Sequence, residues 1–282
     1  MRTVFVILHY QAYDDTVSCI RSIQKLNDEA KIVLIDNASP NGSGKKLAEE
    51  YSDNENVHII LNDSNVGFSK ANNQGCLYAK EKWDPDIYIV ANNDITFPDR
   101  DMIKKIEDIH QRTGFDILGP DILNSRTNVH QSPARKSEPT LERARRTVVL
   151  NKIIYGLFFI TYPFMRRYFH NMKENAKSVE DWDKEQENAL ISGSCVIFGK
   201  TYMTEREKPF DPETYFFCEE AIFTAWCKRN GKKIVYTPEI QVLHNDSAST
   251  YLEGDSKKRI RFQMRNIIDS TKIYIKELKK YR

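Results

Sequence analysis

Short apolar runs alternate with amphipathic ones along the first 120 residues. Residues 3–8 are β-prone and mostly apolar, and they run into His9-Tyr10. Residues 14–26 place Val17, Ile20 and Ile23 at helical spacing, the stripe of a surface helix. Residues 31–35 repeat the strand pattern and end in Asp36-Asn37, before a polar loop at 40–44 and a short polar helix to Tyr51. Residues 57–61 form a third strand pattern, ending in Asn62-Asp63. The turn 65–68 then introduces a helix from Ser69, a residue suited to an N-cap, to Lys82. Residues 87–90 make a fourth strand that leads into Asn92-Asn93-Asp94, with a helix over 99–112 behind it. This β-α-β-α order predicts an α/β fold, a largely parallel sheet with helices on both faces.

In a parallel sheet all these polar strand ends share one edge, the edge where open α/β sheets bind ligands. A dinucleotide-binding domain is the first candidate, since Asp36 sits where its ribose-binding acid would sit. However, His9–Tyr13 stands where G-x-G-x-x-G is required, and no G-x-x-x-x-G-K-[ST] loop occurs. A nucleotide held mainly by base and ribose, with a metal on its phosphates, fits these ends better.

Beyond Asp94 the signals are sparser. Residues 117–120 form a short strand pattern, and 125–140 a Pro-containing polar loop. Residues 141–169 interleave Arg143, Arg145, Arg146, Lys152, Arg166 and Arg167 with aliphatic and aromatic residues. Two readings fit equally: a membrane-interface segment that does not span, or a core helical hairpin. Residues 189–198 form a strand pattern with Gly193 inside it, a mark of close approach by a backbone or ligand. An aromatic run at 215–217 precedes Glu219-Glu220 and a helix; a carboxyl in such an apolar wall takes a raised pKa, useful in a general base. The extended run 234–243 ends at His244, and 247–250 is a polar loop able to close over phosphates. A basic amphipathic helix over 255–281 closes the sequence.

The composition is that of a globular chain: 282 residues, 40% hydrophobic, 29% charged, with formal net charge +2. That balance gives no reason to expect nucleic acid. Five cysteines without a C-x-x-C pair predict free buried thiols in a reducing compartment. Residue 1 leads straight into a strand, so no signal peptide is expected, and no apolar run reaches membrane-spanning length.

The ordered set Val33–Ser39, Asn65–Gly75, Ala91–Asp94, Ile191–Ser194, Phe210–Glu220 and Val242–His244 resembles family 2 glycosyltransferases of the GT-A fold, especially bacterial polysaccharide rhamnosyltransferases. The resemblance covers about 1–120 and 188–250. It implies a nucleotide-sugar-binding half at 1–123 and an acceptor half at 188–250; outside it, the residue pattern leaves a variable, partly helical insert at 124–187 and a basic amphipathic C-terminal helix over 251–282. It also implies a UDP- or dTDP-sugar donor. Asp36 would bind the pyrimidine, His9, Tyr10 and Asn37 would line the base and ribose pocket, and Lys70 with Gly67 and Asn72 would face the nucleotide or its diphosphate. Asn92-Asn93-Asp94 stands where the family has its metal-binding D-x-D, with Asn92 replacing the first acid. Asp94 and His244 would hold Mg²⁺ or Mn²⁺, and Glu220, or failing it Glu219, would be the catalytic base. The implied acceptor is a cell-surface glycan, such as an undecaprenyl-linked one. Free thiols and the lack of a signal peptide make the cytoplasm the expected setting, and the 141–169 segment with the basic C-terminal helix sets the protein peripheral to the inner face of the membrane, with a homo-oligomer allowed. A sugar nucleotidyltransferase is the first rival, but it needs a Gly-rich, basic signature that 9–13 lacks. A degenerate binding or scaffold protein is the second, favoured by Asn92 and opposed by Asp94, Glu220 and His244.

Overall fold

Alternate residues of each central strand face opposite sides of the sheet, and that period of two builds both halves of the core. The structure is a computed structural model describing residues 1–245 and 256–280. In β1 (Thr3–His9), β2 (Lys31–Asp36) and β4 (Ile87–Asn92), Phe5, Ile7, Ile32, Leu34 and Ile89 face one side. Val4, Val6, Val33, Ile35, Tyr88 and Val90 face the other. Helices α1 (Tyr13–Leu26) and α4 (Met102–Thr113) cover the first side with Ile20, Ile23, Ile106 and Ile109. Helices α3 (Phe68–Trp83) and α8 (Glu219–Arg229) cover the second with Ala71, Cys76 and Phe223.

The remaining strands are β3 (Val57–Leu61), β5 (Ile95–Thr96), β6 (Ile117–Asn124), β7 (Gln186–Glu187), β8 (Cys195–Gly199) and β9 (Ile234–His244). One sheet joins them in the order β3-β2-β1-β4-β8-β6-β9-β5, with β7 paired to β9. Strands β1 to β4 are parallel, as expected. The chain moves outward from β1 to β2 and β3, then returns to β4 on the other side of β1. Such a switch point opens a crevice at the carboxyl ends.

The sheet is mixed rather than largely parallel, because β8 runs antiparallel to both β4 and β6. That reversal matters for function. It places the residues leading into β8 beside the carboxyl end of β4, where the Asn92 N–H donates to the Ser194 carbonyl at 2.9 Å. The strand expected over 189–198 is therefore only Cys195–Gly199, and Gly193 lies in a loop before it. β6 runs on to Asn124 and pairs in parallel with β9, so its end also reaches the crevice edge. α3 begins one residue early: Gly67 precedes it at φ +87°, and Ser69, instead of capping, pairs its hydroxyl with that of Thr214 at 3.0 Å.

Of the other helices, α2 (Ser43–Glu50) and α7 (Lys200–Glu205) are short. α5 (Leu141–Gly156) and α6 (Phe158–Glu174) form most of the insert and pack against α9 (Ser256–Lys279). The Thr140 hydroxyl caps α5 by accepting from the Arg143 N–H at 3.3 Å. All five cysteines are free. The loop 247–250 lies outside the described residues.

Candidate active site

The turn after β4 sends its three polar side chains to three places. Asn92 stays half-buried at the strand end. Asn93 turns inward and donates to Thr16 Oγ1 at 2.8 Å and to the Ala12 carbonyl at 3.3 Å, so it ties the strand to α1. Asp94 is 2% exposed. The next residues form β5, which pairs antiparallel with the end of β9, Ile95 opposite His244. That short ladder brings His244 Nε2 to 3.2 Å from Asp94 Oδ2.

The pair fits a divalent cation. Asp94 Oδ1 is buried with no hydrogen-bond partner, a costly state for a carboxylate oxygen unless a cation or ligand meets it. Gln131 Oε1 lies 2.7 Å from His244 Nδ1 and accepts a hydrogen bond from its N–H, which in the neutral ring leaves the Nε2 lone pair directed at Asp94. Two acceptors facing each other call for a cation or proton between them, and a second-side hydrogen bond of this kind is how proteins orient ligating histidines. Among the described residues no third His, Cys, Asp or Glu joins them. The rest of a coordination shell would come from phosphate and water, as is usual for Mg²⁺. Sequence reasoning missed Gln131, because it sits in a loop with no periodic signal.

On the other side of the crevice, several expected ligand contacts are instead wall supports. His9 is fully buried, with Nδ1 2.6 Å from Thr16 Oγ1 and Nε2 2.8 Å from Ser43 Oγ. Burial, opposed by the nearby Asp36 charge, lowers its pKa to about 4, so it is neutral. Asn37 is also buried. Its amide donates to Asn65 Oδ1 at 3.0 Å and its oxygen accepts from the Val66 N–H at 2.9 Å, pinning the 62–67 turn. Asn72 is enclosed in α3, donating to the Phe68 carbonyl at 3.1 Å with its Oδ1 unpaired. His9 and Asn37 lie at the expected strand ends yet satisfy the scaffold, whereas Asn72 gives only its amide N–H to it and keeps a buried oxygen without a partner. Asp36, 6% exposed, accepts from the Ser39 hydroxyl at 2.5 Å and backbone N–H at 3.2 Å. A ligand N–H reaching this carboxylate must share those oxygens. Tyr10 is half-buried and Lys70 exposed at the start of α3. Gly67 has no room for a side chain: a Cβ would lie 2.7 Å from the Tyr215 ring, and the Phe68 N–H donates to the Tyr215 carbonyl at 2.7 Å.

The acidic pair is separated by backbone geometry. Phe217 and Cys218 both adopt left-handed φ, +74° and +71°, at a cost of about 1–3 kcal/mol each. The turn they make starts α8 with its two acids pointing apart. Glu219 is 5% exposed and accepts from Thr214 Oγ1 at 2.7 Å. Glu220 accepts from the Gly193 N–H at 3.1 Å and faces a cavity of about 380 Å³. A Cβ on Gly193 would lie 2.3 Å from Glu220 Oε1, which is why glycine stands there. Arg135, Arg143, Thr147, Ser192 and Thr271 also line this cavity.

The profile described as "Glycosyl transferase family 2" matches residues 4–172, more than half of the chain. The chain belongs to glycosyl transferase family 2. This glycosyltransferase is 22% identical over 97% of its length to the low-salt glycan biosynthesis hexosyltransferase Agl10 of Haloferax volcanii, covering 76% of that protein. It is 24% identical over 78% of its length to the N-acetylglucosaminyl-diphospho-decaprenol L-rhamnosyltransferase of Mycobacterium tuberculosis, covering 67% of it. Similar solved structures include S. aureus TarS residues 1–349, with TM-score 0.54, 14% identity and coverage of 99% of this chain and 70% of that one. GalNAc-T7, crystallised with UDP, GalNAc and Mn²⁺, superposes with TM-score 0.59 and 14% identity over 86% of this chain and 44% of that one. At such identities the likeness is one of fold, and the fold is GT-A.

Within this glycosyltransferase the two acids differ electrostatically as well as in position. Burial, with the Glu220 charge adding to it, pushes the Glu219 carboxyl up to about 8. Burial also raises Glu220, opposed by the N–H groups it accepts from. Between the ordinary value of 4.5 and about 8 the folded protein holds a proton on Glu219 that the unfolded chain has released. Stability therefore falls as pH rises through that window. Glu219→Gln keeps an acceptor for Thr214 and removes the titration. The variant is expected to melt roughly 5–10 °C above wild type at pH 9 and close to it at pH 5; equal pH slopes in scanning calorimetry would refute this.

Proposed function

We propose that this glycosyltransferase is an inverting enzyme that transfers a sugar from a dTDP- or UDP-sugar to a lipid-linked or cell-surface glycan. One observation carries the reading: two hydrogen bonds, through Gly193 and Ser194, join Glu220 to the Asn92–Asp94 turn. A prospective base and a prospective diphosphate site are thus held in one rigid frame, as in-line displacement requires.

In this reading Asp36 meets the pyrimidine edge, and Lys70 lies toward the diphosphate. Asp94 and His244 hold Mg²⁺ or Mn²⁺. When bound, that ion supplies charge neutralisation on the leaving nucleoside diphosphate. Glu220 accepts the proton of the acceptor hydroxyl as its oxygen bonds to the anomeric carbon. The anomeric carbon–oxygen bond to the nucleotide breaks on the opposite face, and the configuration inverts in one step. Glu219, neutral and tied to Thr214, fixes the start of α8. The M. tuberculosis relative's name supports rhamnose as the sugar and a diphospho-lipid acceptor.

Calorimetric titration of UDP and dTDP, each with and without Mn²⁺, tests the donor half. The expected result is binding of one nucleotide at least tenfold tighter with Mn²⁺, the tighter ligand naming the donor class. Absence of binding for both would refute the reading.

A further inference from the structure

The α5–α6 pair bends by 115° at its break. The inner sides of both helices pack on α9, where Phe158 is buried with Ile260 and Met264 and is flanked by Tyr155 and Tyr162. The outer sides stay open. Phe159 is 88% exposed, Phe164 74% and Ile160 68%, and Leu150, Ile153 and Leu157 are each at least half exposed. A core hairpin would cover such side chains. Large apolar residues left open along two consecutive helices mark an interaction surface.

Charge identifies the partner. No Asp or Glu occurs between Glu142 and Glu174, whereas Arg145, Lys152, Arg166 and Arg167 are exposed. The first turns of α9 extend this rim. Lys257 Nζ lies 5.2 Å from the Tyr162 ring centroid, and the Arg261 guanidinium 5.3 Å from that of Phe158. An apolar tip inside a basic rim complements a bilayer with anionic headgroups. A twofold contact with a second copy would set like-charged rims against each other. No single described helix is long and apolar enough to cross a membrane.

We propose that the outer face of the α5–α6 elbow docks on an anionic lipid surface, with Leu157, Phe159, Ile160 and Phe164 entering the headgroup region. The same α5 walls the Glu220 cavity through Arg143, Ala144 and Thr147. Docking therefore holds that cavity close to the lipid, where a lipid-borne acceptor presents its glycan. Arg135 and Arg143 have no carboxylate partner among the described residues and can meet the acceptor's phosphates. This last consequence rests on the proposed function; the docking surface does not.

Co-sedimentation of the full chain with phosphatidylcholine vesicles, with and without phosphatidylglycerol, tests it at low and high salt. Wild type is expected to bind the phosphatidylglycerol vesicles at low salt. Phe159→Ser/Phe164→Ser should lower the partition by roughly tenfold or more, and Arg166→Gln/Arg167→Gln should weaken it and flatten its salt dependence. Calorimetric nucleotide binding unchanged in these variants would show that the donor half remains folded. Failure of wild type to sediment with anionic vesicles, or an unchanged partition in the folded aromatic variant, overturns the proposal. So does a wild-type dimer in analytical ultracentrifugation that the aromatic substitutions dissolve, which would assign the face to a second copy.

Discussion

Glu220→Gln is expected to leave a folded protein whose sugar transfer falls roughly 10²–10⁴-fold in kcat, the range a general base supplies. The substitution is nearly isosteric. Its amide oxygen can still accept the Gly193 N–H now 3.1 Å from Glu220 Oε1, so the 192–194 loop keeps its support and only the proton acceptor is lost. Melting temperature and nucleotide affinity should stay close to wild type. Glu219→Gln is the control. Its carboxyl is buried against Thr214, so it should retain activity within about tenfold of wild type. A larger loss in Glu219→Gln than in Glu220→Gln, in a radiolabelled-sugar transfer assay, would exchange the two roles. The pH profile gives a second reading. A base works only when deprotonated, and burial raises the Glu220 pKa. Wild-type kcat/KM should therefore climb with pH through a midpoint above the ordinary carboxylate range, and drop as pH falls below it.

The second large effect is at Asp94. Asp94→Ala is expected to abolish the Mn²⁺-dependent part of nucleotide binding and to reduce turnover by roughly 10²–10³-fold, a few kcal/mol of lost charge stabilisation. A merely structural role predicts lost stability on substitution, and the burial of Asp94 argues for the opposite. Asp94 Oδ1 is buried and unpaired, so without metal the carboxylate burdens the fold. Asp94→Asn should then melt no lower than wild type in chelator, and gain up to about 1–2 kcal/mol. Stability kept or raised while metal-dependent binding disappears is the signature of a ligand. Lost stability together with unchanged Mn²⁺ dependence would remove Asp94 from the metal site.

How much of this was legible beforehand follows from the range of the forces involved. The alternation Val4-Phe5-Val6-Ile7 and its repeats at 32–35 and 87–90 are local, and burial on both faces of a sheet leaves such runs few other folds. The parallel pairing of β1 to β4 and the two-sided helix cover followed from them; the order of the strands in the sheet did not. The reversal at β8 did not, because an antiparallel strand between two parallel ones has the same local pattern as any buried strand.

Polar strand ends were legible as polar and no further. His9, Asn37, Asn72 and Asn93 look like ligand contacts in the sequence. In three dimensions all four are buried; His9, Asn37 and Asn93 bond to Thr16, Ser43 and the 62–67 turn, while Asn72 bonds to α3 through its amide N–H and leaves its oxygen unpaired. A side chain that satisfies the scaffold and one that awaits a ligand have the same composition; only the position of the neighbouring donors separates them. The same holds for Glu219 and Glu220, adjacent in sequence and set apart by two left-handed residues.

By itself the sequence determined the α/β class, the family and the candidates Asp36, Asp94, Glu220 and His244, because those rest on local periodicity and ordered motifs. Tertiary structure alone decided that a two-residue strand joins Asp94 to His244, that Gln131 orients the imidazole, and which face of α5 and α6 remains open once α9 has covered the other. Those are pairings between segments remote in the chain, chosen by burial and hydrogen bonding of the whole fold, and local patterning does not encode them.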